Sequence, residues 1–132
     1  MADEPILIVD DNPQNLKLAR VILAKEGYDV RTAIDAEDAL KILAAFTPRL
    51  ILMDLQLPRM DGLELTRQIK TDPARSGIIV VALTAYAMKG DQEKALAAGC
   101  DGYMSKPIDI EELPRMVARL LAKARARSDE AV

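Results

Sequence analysis

The chain contains no histidine among its 132 residues. That absence excludes a Ser-His-Asp triad, removes the commonest zinc ligand and the commonest general base, and means that no phosphohistidine can form on this chain. Cysteine is nearly as scarce. Cys100 stands alone, so no internal disulfide can form; a reducing, cytoplasmic setting is expected, with the thiol read as a small buried apolar group. No apolar run approaches the length of a membrane span, and the opening Met1-Ala2-Asp3-Glu4-Pro5 does not read as a signal peptide, so no membrane insertion is expected. Positive charge is not in excess either. The 18 Lys and Arg are outnumbered by 21 Asp and Glu, and no basic patch stands out, which argues against direct nucleic-acid binding.

What the chain does have is a set of short apolar runs that end on chemically useful residues. Ile6-Leu7-Ile8-Val9 ends in Asp10-Asp11, Leu50-Ile51-Leu52-Met53 in Asp54, and Ile78 to Leu83 in Thr84. A weaker run, Gly102-Tyr103-Met104-Ser105, ends in Lys106-Pro107. The three long runs are apolar on both faces, as strands covered by helices on both sides are. Tyr28 to Ala33 alternates instead, which suits an edge strand with one wetter face.

Helices fill the gaps. Asn12-Pro13 reads as a cap followed by Pro at the first helical position, with Leu18, Ala19, Ile22 and Leu23 as the apolar stripe and Gly27 as the stop. Asp35 caps a second helix with Ala36, Ala39, Leu40 and Leu43 inward. Asp61-Gly62 opens a third carrying Leu63, Leu65 and Ile69, and Asp72-Pro73 closes it. Asp91 opens a fourth, ended by Gly99. Asp109 with Glu112 resembles a capping box for the last, whose stripe is Leu113, Val117, Leu120 and Leu121. Pro114 falls inside that helix, so either the helix starts later or its first turn is distorted. Residues 1–122 read as one domain, and 123–132 as a short charged tail expected to fray.

Five βα units in a row impose parallel pairing and right-handed crossovers. With the alternating strand at an edge, the expected fold is a flavodoxin-like (βα)5 three-layer sandwich whose parallel sheet runs 2-1-3-4-5. Its order reverses between strands one and three, so Asp10, Asp11 and Asp54 meet in the crevice where such sheets bind ligands.

Taken singly these residues are unremarkable. Asp11 could help cap the first helix, Asp54 could be a turn residue, Thr84 a strand former and Lys106 a solvated charge. Together they need a reason. Two carboxylates about 4 Å apart repel by roughly 4 kcal/mol at an effective dielectric of 20, so a fold gathers three only with a cation to relieve them. Oxygen ligands with open water positions suit Mg²⁺. Asp11 and Asp54 are the expected ligands, with Asp10 nearby or acting through water and the backbone carbonyl of Gln56 as a further one. Asp54 can then take a phosphoryl group as an acyl phosphate. Lys106, the Thr84 hydroxyl and the backbone N–H groups of Gln56 and Ala85 would hold the phosphoryl oxygens.

The stretches Ile6 to Asn12, Leu52 to Gly62, Ala82-Leu83-Thr84-Ala85 and Tyr103-Met104-Ser105-Lys106-Pro107, in that order, resemble the response-regulator receiver domains of two-component signalling. Residues 85–91, with no output domain expected, resemble the single-domain regulators of the family that act in cell division. The resemblance implies that Asp54 accepts phosphate from a phosphohistidine on a sensor histidine kinase or a histidine phosphotransfer protein. It further implies that Asp10, Asp11 and the Gln56 carbonyl hold Mg²⁺, and that Thr84 and Lys106 read the phosphoryl group. Lys106-Pro107 is then a cis peptide, and Tyr103 is the switch aromatic that turns inward, where the alternative is a half-buried strand tyrosine. Signalling would run through a changed surface for a downstream protein effector, without turnover of small substrates. A phosphorylation-dependent homodimer is left open. Tyr86 and Gln56 flank the path of a hydrolytic water, and a bulky Tyr86 is expected to slow loss of the phosphoryl group.

Two enzyme-like or cofactor readings fit less well. A haloacid-dehalogenase-type phosphatase wants a second Asp two residues after the nucleophile, where this chain has Gln56. A flavin-binding relative would place cofactor phosphate against the acidic Asp10-Asp11-Asn12-Pro13 loop, which would repel it.

Overall fold

A computed structural model describes residues 4–55, 57, 62–84 and 89–130, the side chains of 89, 91 and 125–130 excepted. In chain order the elements are β1 (Pro5–Val9), α1 (Pro13–Lys25), β2 (Asp29–Ala33), α2 (Ala36–Leu43), β3 (Leu50–Asp54), α3 (Gly62–Thr71), β4 (Ile79–Thr84), α4 (Lys89–Ala98), β5 (Gly102–Ser105) and α5 (Glu112–Glu130). The strands form one sheet in the order β2-β1-β3-β4-β5, every pair parallel. This is the flavodoxin-like arrangement that the alternation of apolar runs and helices predicts.

Strand periodicity divides the core in two. Ile6, Ile8, Leu50, Leu52, Val81 and Leu83 face α1 and α5, while the residues between them, Leu7, Val9, Ile51, Met53, Val80 and Ala82, face α2, α3 and α4. β3 and β4 are buried along their whole length, which is why they read as unbroken apolar runs. β2 lies at an edge with Asp29 and Arg31 exposed, as its alternation requires.

Helix starts follow the sequence signals in two clear cases. The Asn12 side chain accepts from the N–H groups of Gln14 and Asn15 at 2.9 and 3.3 Å, with Pro13 at the first helical position. Asp35 Oδ1 accepts from Asp38 N–H at 2.8 Å. In α1 the buried stripe is Leu16, Ala19, Ile22 and Leu23, whereas Leu18 faces outward. Apolar residues occupy both sides of this helix, so periodicity alone mis-set its phase. α4 begins at Lys89, which places Asp91 inside the helix instead of at its start.

The Pro114 conflict resolves locally. Asp109 Oδ1 accepts from Glu111 and Glu112 N–H, both at 2.9 Å, and Asp109 O accepts from Leu113 N–H at 3.0 Å. Pro114 has no N–H with which to continue that ladder, so the regular helix starts at Glu112 with the proline in its first turn, where a missing donor costs least. α5 then runs to Glu130, and Ala124 packs against the core. A boundary at residue 122 therefore falls within α5 and not at its end.

Candidate functional site

The carboxyl ends of four strands carry the functional side chains. Asp10 follows β1, Asp54 ends β3, Thr84 ends β4 and Lys106 follows β5. Register aligns them: Val9 pairs with Met53, Asp54 with Leu83, and Thr84 with Ser105. Backbone bonds then fix the exits. Asp10 N–H donates to Ala33 O at 3.1 Å, Leu55 N–H to Leu83 O at 3.0 Å, and Lys106 N–H to Thr84 O at 2.7 Å.

Asp10, Asp11 and Asp54 each offer a carboxylate oxygen, and these oxygens lie within 4.8 Å of one another. Asp10 and Asp54 are buried; Asp11 is exposed. Lys106 Nζ approaches Asp10 Oδ2 at 3.0 Å and Asp54 Oδ2 at 3.3 Å. Asp10 Oδ1 accepts from Asn12 N–H at 2.8 Å, which fixes the carboxylate, while its buried Oδ2 meets Lys106 as an ion contact without an aligned hydrogen bond. The cap role weighed for Asp11 belongs to Asn12, so Asp11 remains available to the cluster.

Burial acts to lower the pKa of Lys106, but its close contacts with the Asp10 and Asp54 carboxylates, Asp10 first, outweigh it and hold the ammonium above its ordinary value. The side chain is thus a fixed cation. One ammonium offsets only part of three carboxylates. A second cation fits this donor set: the atoms are all hard oxygens, one buried oxygen lacks an aligned donor, and Asp11 opens the cluster to water.

Thr84 is buried at the rim. Tyr103 pairs with Ala82 and packs, half-buried, against the core on the α2–α4 side of the sheet. The Lys106–Pro107 peptide is cis. Gln56, Ala85 and Tyr86 lie outside the described residues.

One residue that matters here was read only as a helix opener. A Cβ on Gly62 would collide with the carbonyl oxygen of Asp54 and come 2.9 Å from Leu55 Cα, and Gly62 N–H donates to Leu55 O at 3.2 Å. The start of α3 is therefore pressed directly onto the backbone at the end of β3 — a closeness that an Asp-Gly pair in sequence does not separate from an ordinary turn.

Comparison with known proteins agrees with this geometry. Residues 6–118 match the response regulator receiver domain family. The polar-differentiation response regulator DivK of Brucella anthropi is 40% identical over 119 residues, which span 90% of this chain and 97% of that protein. Among solved structures, a CheY-like receiver domain protein from Methanospirillum hungatei superposes with a TM-score of 0.88 at 31% identity, covering 95% of this chain and 98% of that one. The BeF3-activated DrrB receiver domain superposes with a TM-score of 0.83 at 31% identity, covering 91% and 98%. The chain belongs to the response regulator receiver domain family of two-component signalling. Within that family its similarity extends to DivK across nearly the full length of both proteins.

Proposed function

We propose that this protein is a phosphoacceptor response regulator that takes a phosphoryl group from phosphohistidine onto Asp54. The observation that carries the reading is the buried Asp54 carboxylate, 3.3 Å from Lys106 Nζ and grouped with the oxygens of Asp10 and Asp11. An Asp54 oxygen attacks phosphorus, the P–N bond of the donor breaks, and the released imidazole takes up a proton from water. The donor must be another protein, a sensor histidine kinase or a histidine phosphotransfer protein, because this chain has no histidine.

Asp10, Asp11, Asp54 and the Gln56 carbonyl would hold Mg²⁺, which supplies charge neutralisation at one phosphoryl oxygen. Lys106 neutralises another. The Thr84 hydroxyl and the Gln56 and Ala85 N–H groups accommodate the remainder. Charge neutralisation and positioning do the chemistry that phosphoryl transfer needs.

The new dianion biases a two-state element. Thr84 moves toward the phosphoryl group and Tyr103, on the adjacent strand, turns inward, which changes the surface offered to a downstream protein effector. The protein acts as a switch in the cytoplasm and does not turn over small substrates. Among the described residues no helix is long and apolar enough to cross a membrane.

Incubation with acetyl phosphate and Mg²⁺, followed by intact-mass measurement, tests the reading. The wild type should gain one phosphoryl group and Asp54→Ala none; a wild type that gains nothing overturns it.

A further inference from the structure

β5 has four residues and pairs on one side only, with β4. A ladder that short, on an edge, specifies its register weakly. Register nevertheless matters greatly here, because Lys106 follows β5 directly.

The opposite end of β5 is held by Asp101. Its N–H donates to Val80 O at 2.7 Å, and its Oδ2 accepts from Val80 N–H at 2.9 Å, so one residue binds both backbone groups of a single β4 position. Lys70 of α3 donates to the same Oδ2 at 2.8 Å and to Ile78 O at 2.6 Å. This Lys70–Asp101 pair is largely shielded, with side chains 18% and 30% exposed. The Lys70 stem lies across Gly99, whose φ of +106° and missing Cβ leave room for it. The clamp therefore joins α3, the start of β4 and the entry to β5.

From that anchor the register runs without slack. Gly102 pairs with Val81, Ser105 with Thr84, and Lys106 N–H meets Thr84 O. A slip of one residue would exchange the faces of Tyr103 and Met104 and carry Lys106 about 3.3 Å along the sheet, enough to break both of its carboxylate contacts.

We propose that Asp101, held by Lys70, is a positioning residue for Lys106, setting the register of β5 from the end of the strand opposite the acidic cluster. The chemical readout of this proposal rests on the phosphoacceptor reading; its structural readout does not.

Two measurements on the full chain test it: amide hydrogen exchange, and the initial rate of phosphorylation by acetyl phosphate with Mg²⁺. Asp101→Ala should speed exchange at residues 104–106 about tenfold, leave residues 6–9 and 50–54 unchanged, and slow phosphorylation about tenfold. Asp101→Asn, which keeps an acceptor for Val80 N–H, should restore most of both. In a Lys106→Ala background Asp101→Ala should cost nothing further in rate, because the residue it positions is gone. Unchanged exchange at 104–106, or a rate loss as large in the Lys106→Ala background as in the wild type, overturns the proposal. If Asp101→Ala does not fold, Lys70→Met undergoes the same comparisons, with Asp101→Asn again expected near the wild type. If the wild type takes up no phosphoryl group, the phosphoacceptor reading fails while the exchange data still decide the clamp.

Discussion

Lys106 Nζ lies 3.3 Å from Asp54 Oδ2, although β4 stands between the strands that carry the two residues. The lysine reaches across the end of β4, over Thr84, and touches Asp10 at 3.0 Å as well. One cation thus ties the ends of three strands through side chains alone, and the stability of the metal-free protein should depend on it.

Lys106→Met should expose that dependence. It leaves two buried carboxylates without this cation, and the expected loss is about 3–5 kcal/mol. Urea unfolding without divalent metal measures it. Phosphorylation by a small phosphodonor should also slow at least tenfold, since a fixed positive charge is removed from the developing phosphoryl charge.

Asp54→Asn should have the opposite sign. Among the described residues Asp54 meets one ammonium at 3.3 Å and two carboxylates within 4.8 Å. At an effective dielectric of 20 the two repulsions exceed the one attraction by about 2 kcal/mol, so neutralising position 54 should raise the melting temperature of the metal-free protein. Saturating Mg²⁺ should then stabilise the wild type by about 2.7 kcal/mol at a hundredfold excess over its dissociation constant, and the variant by much less. A variant that melts below the wild type without metal would contradict the cluster's electrostatics.

Gly62→Ala tests the contact between α3 and the end of β3. The added methyl meets backbone atoms of Asp54 and Leu55, which cannot rotate away. Overpacking of this kind costs about 1–3 kcal/mol, more than the gain of up to about 1 kcal/mol from replacing a helical glycine. Denaturant unfolding should show a net loss, and phosphorylation should slow because Asp54 itself is displaced.

The α5 cap gives a pH dependence. Backbone N–H groups of Glu112 and Glu111 bind the Asp109 carboxylate and hold its pKa below the ordinary value. A depressed folded-state pKa contributes stability above the unfolded-state value, about 3.9, and that contribution disappears as pH falls through the folded-state pKa. Asp109→Ala should therefore be less stable than the wild type at neutral pH, with the gap closing below about pH 4. Unfolding curves across pH 3 to 7 check it, and a constant gap would contradict the cap's role.

The strands and their order were legible because β3 and β4 are buried on both faces and β2 on one, and burial writes directly onto residue pattern. The acid cluster was legible because its members sit at the ends of those same runs. Helix phase was less so: Leu16, Leu18, Ala19, Val21 and Ile22 nearly encircle α1, and only packing selects Leu16 over Leu18. Lys70 and Asp101 were invisible for another reason. They stand 31 residues apart, and nothing in either neighbourhood distinguishes a shielded ion pair from two solvated charges.

The central claim is that Asp54 itself carries the phosphoryl group, and reductive trapping tests it most directly. Borohydride cleaves an acyl phosphate and converts the aspartyl residue to homoserine, which peptide mass mapping locates. After treatment with acetyl phosphate and Mg²⁺, homoserine should appear at position 54 and nowhere else. Homoserine at another aspartate, or at none, would contradict the account.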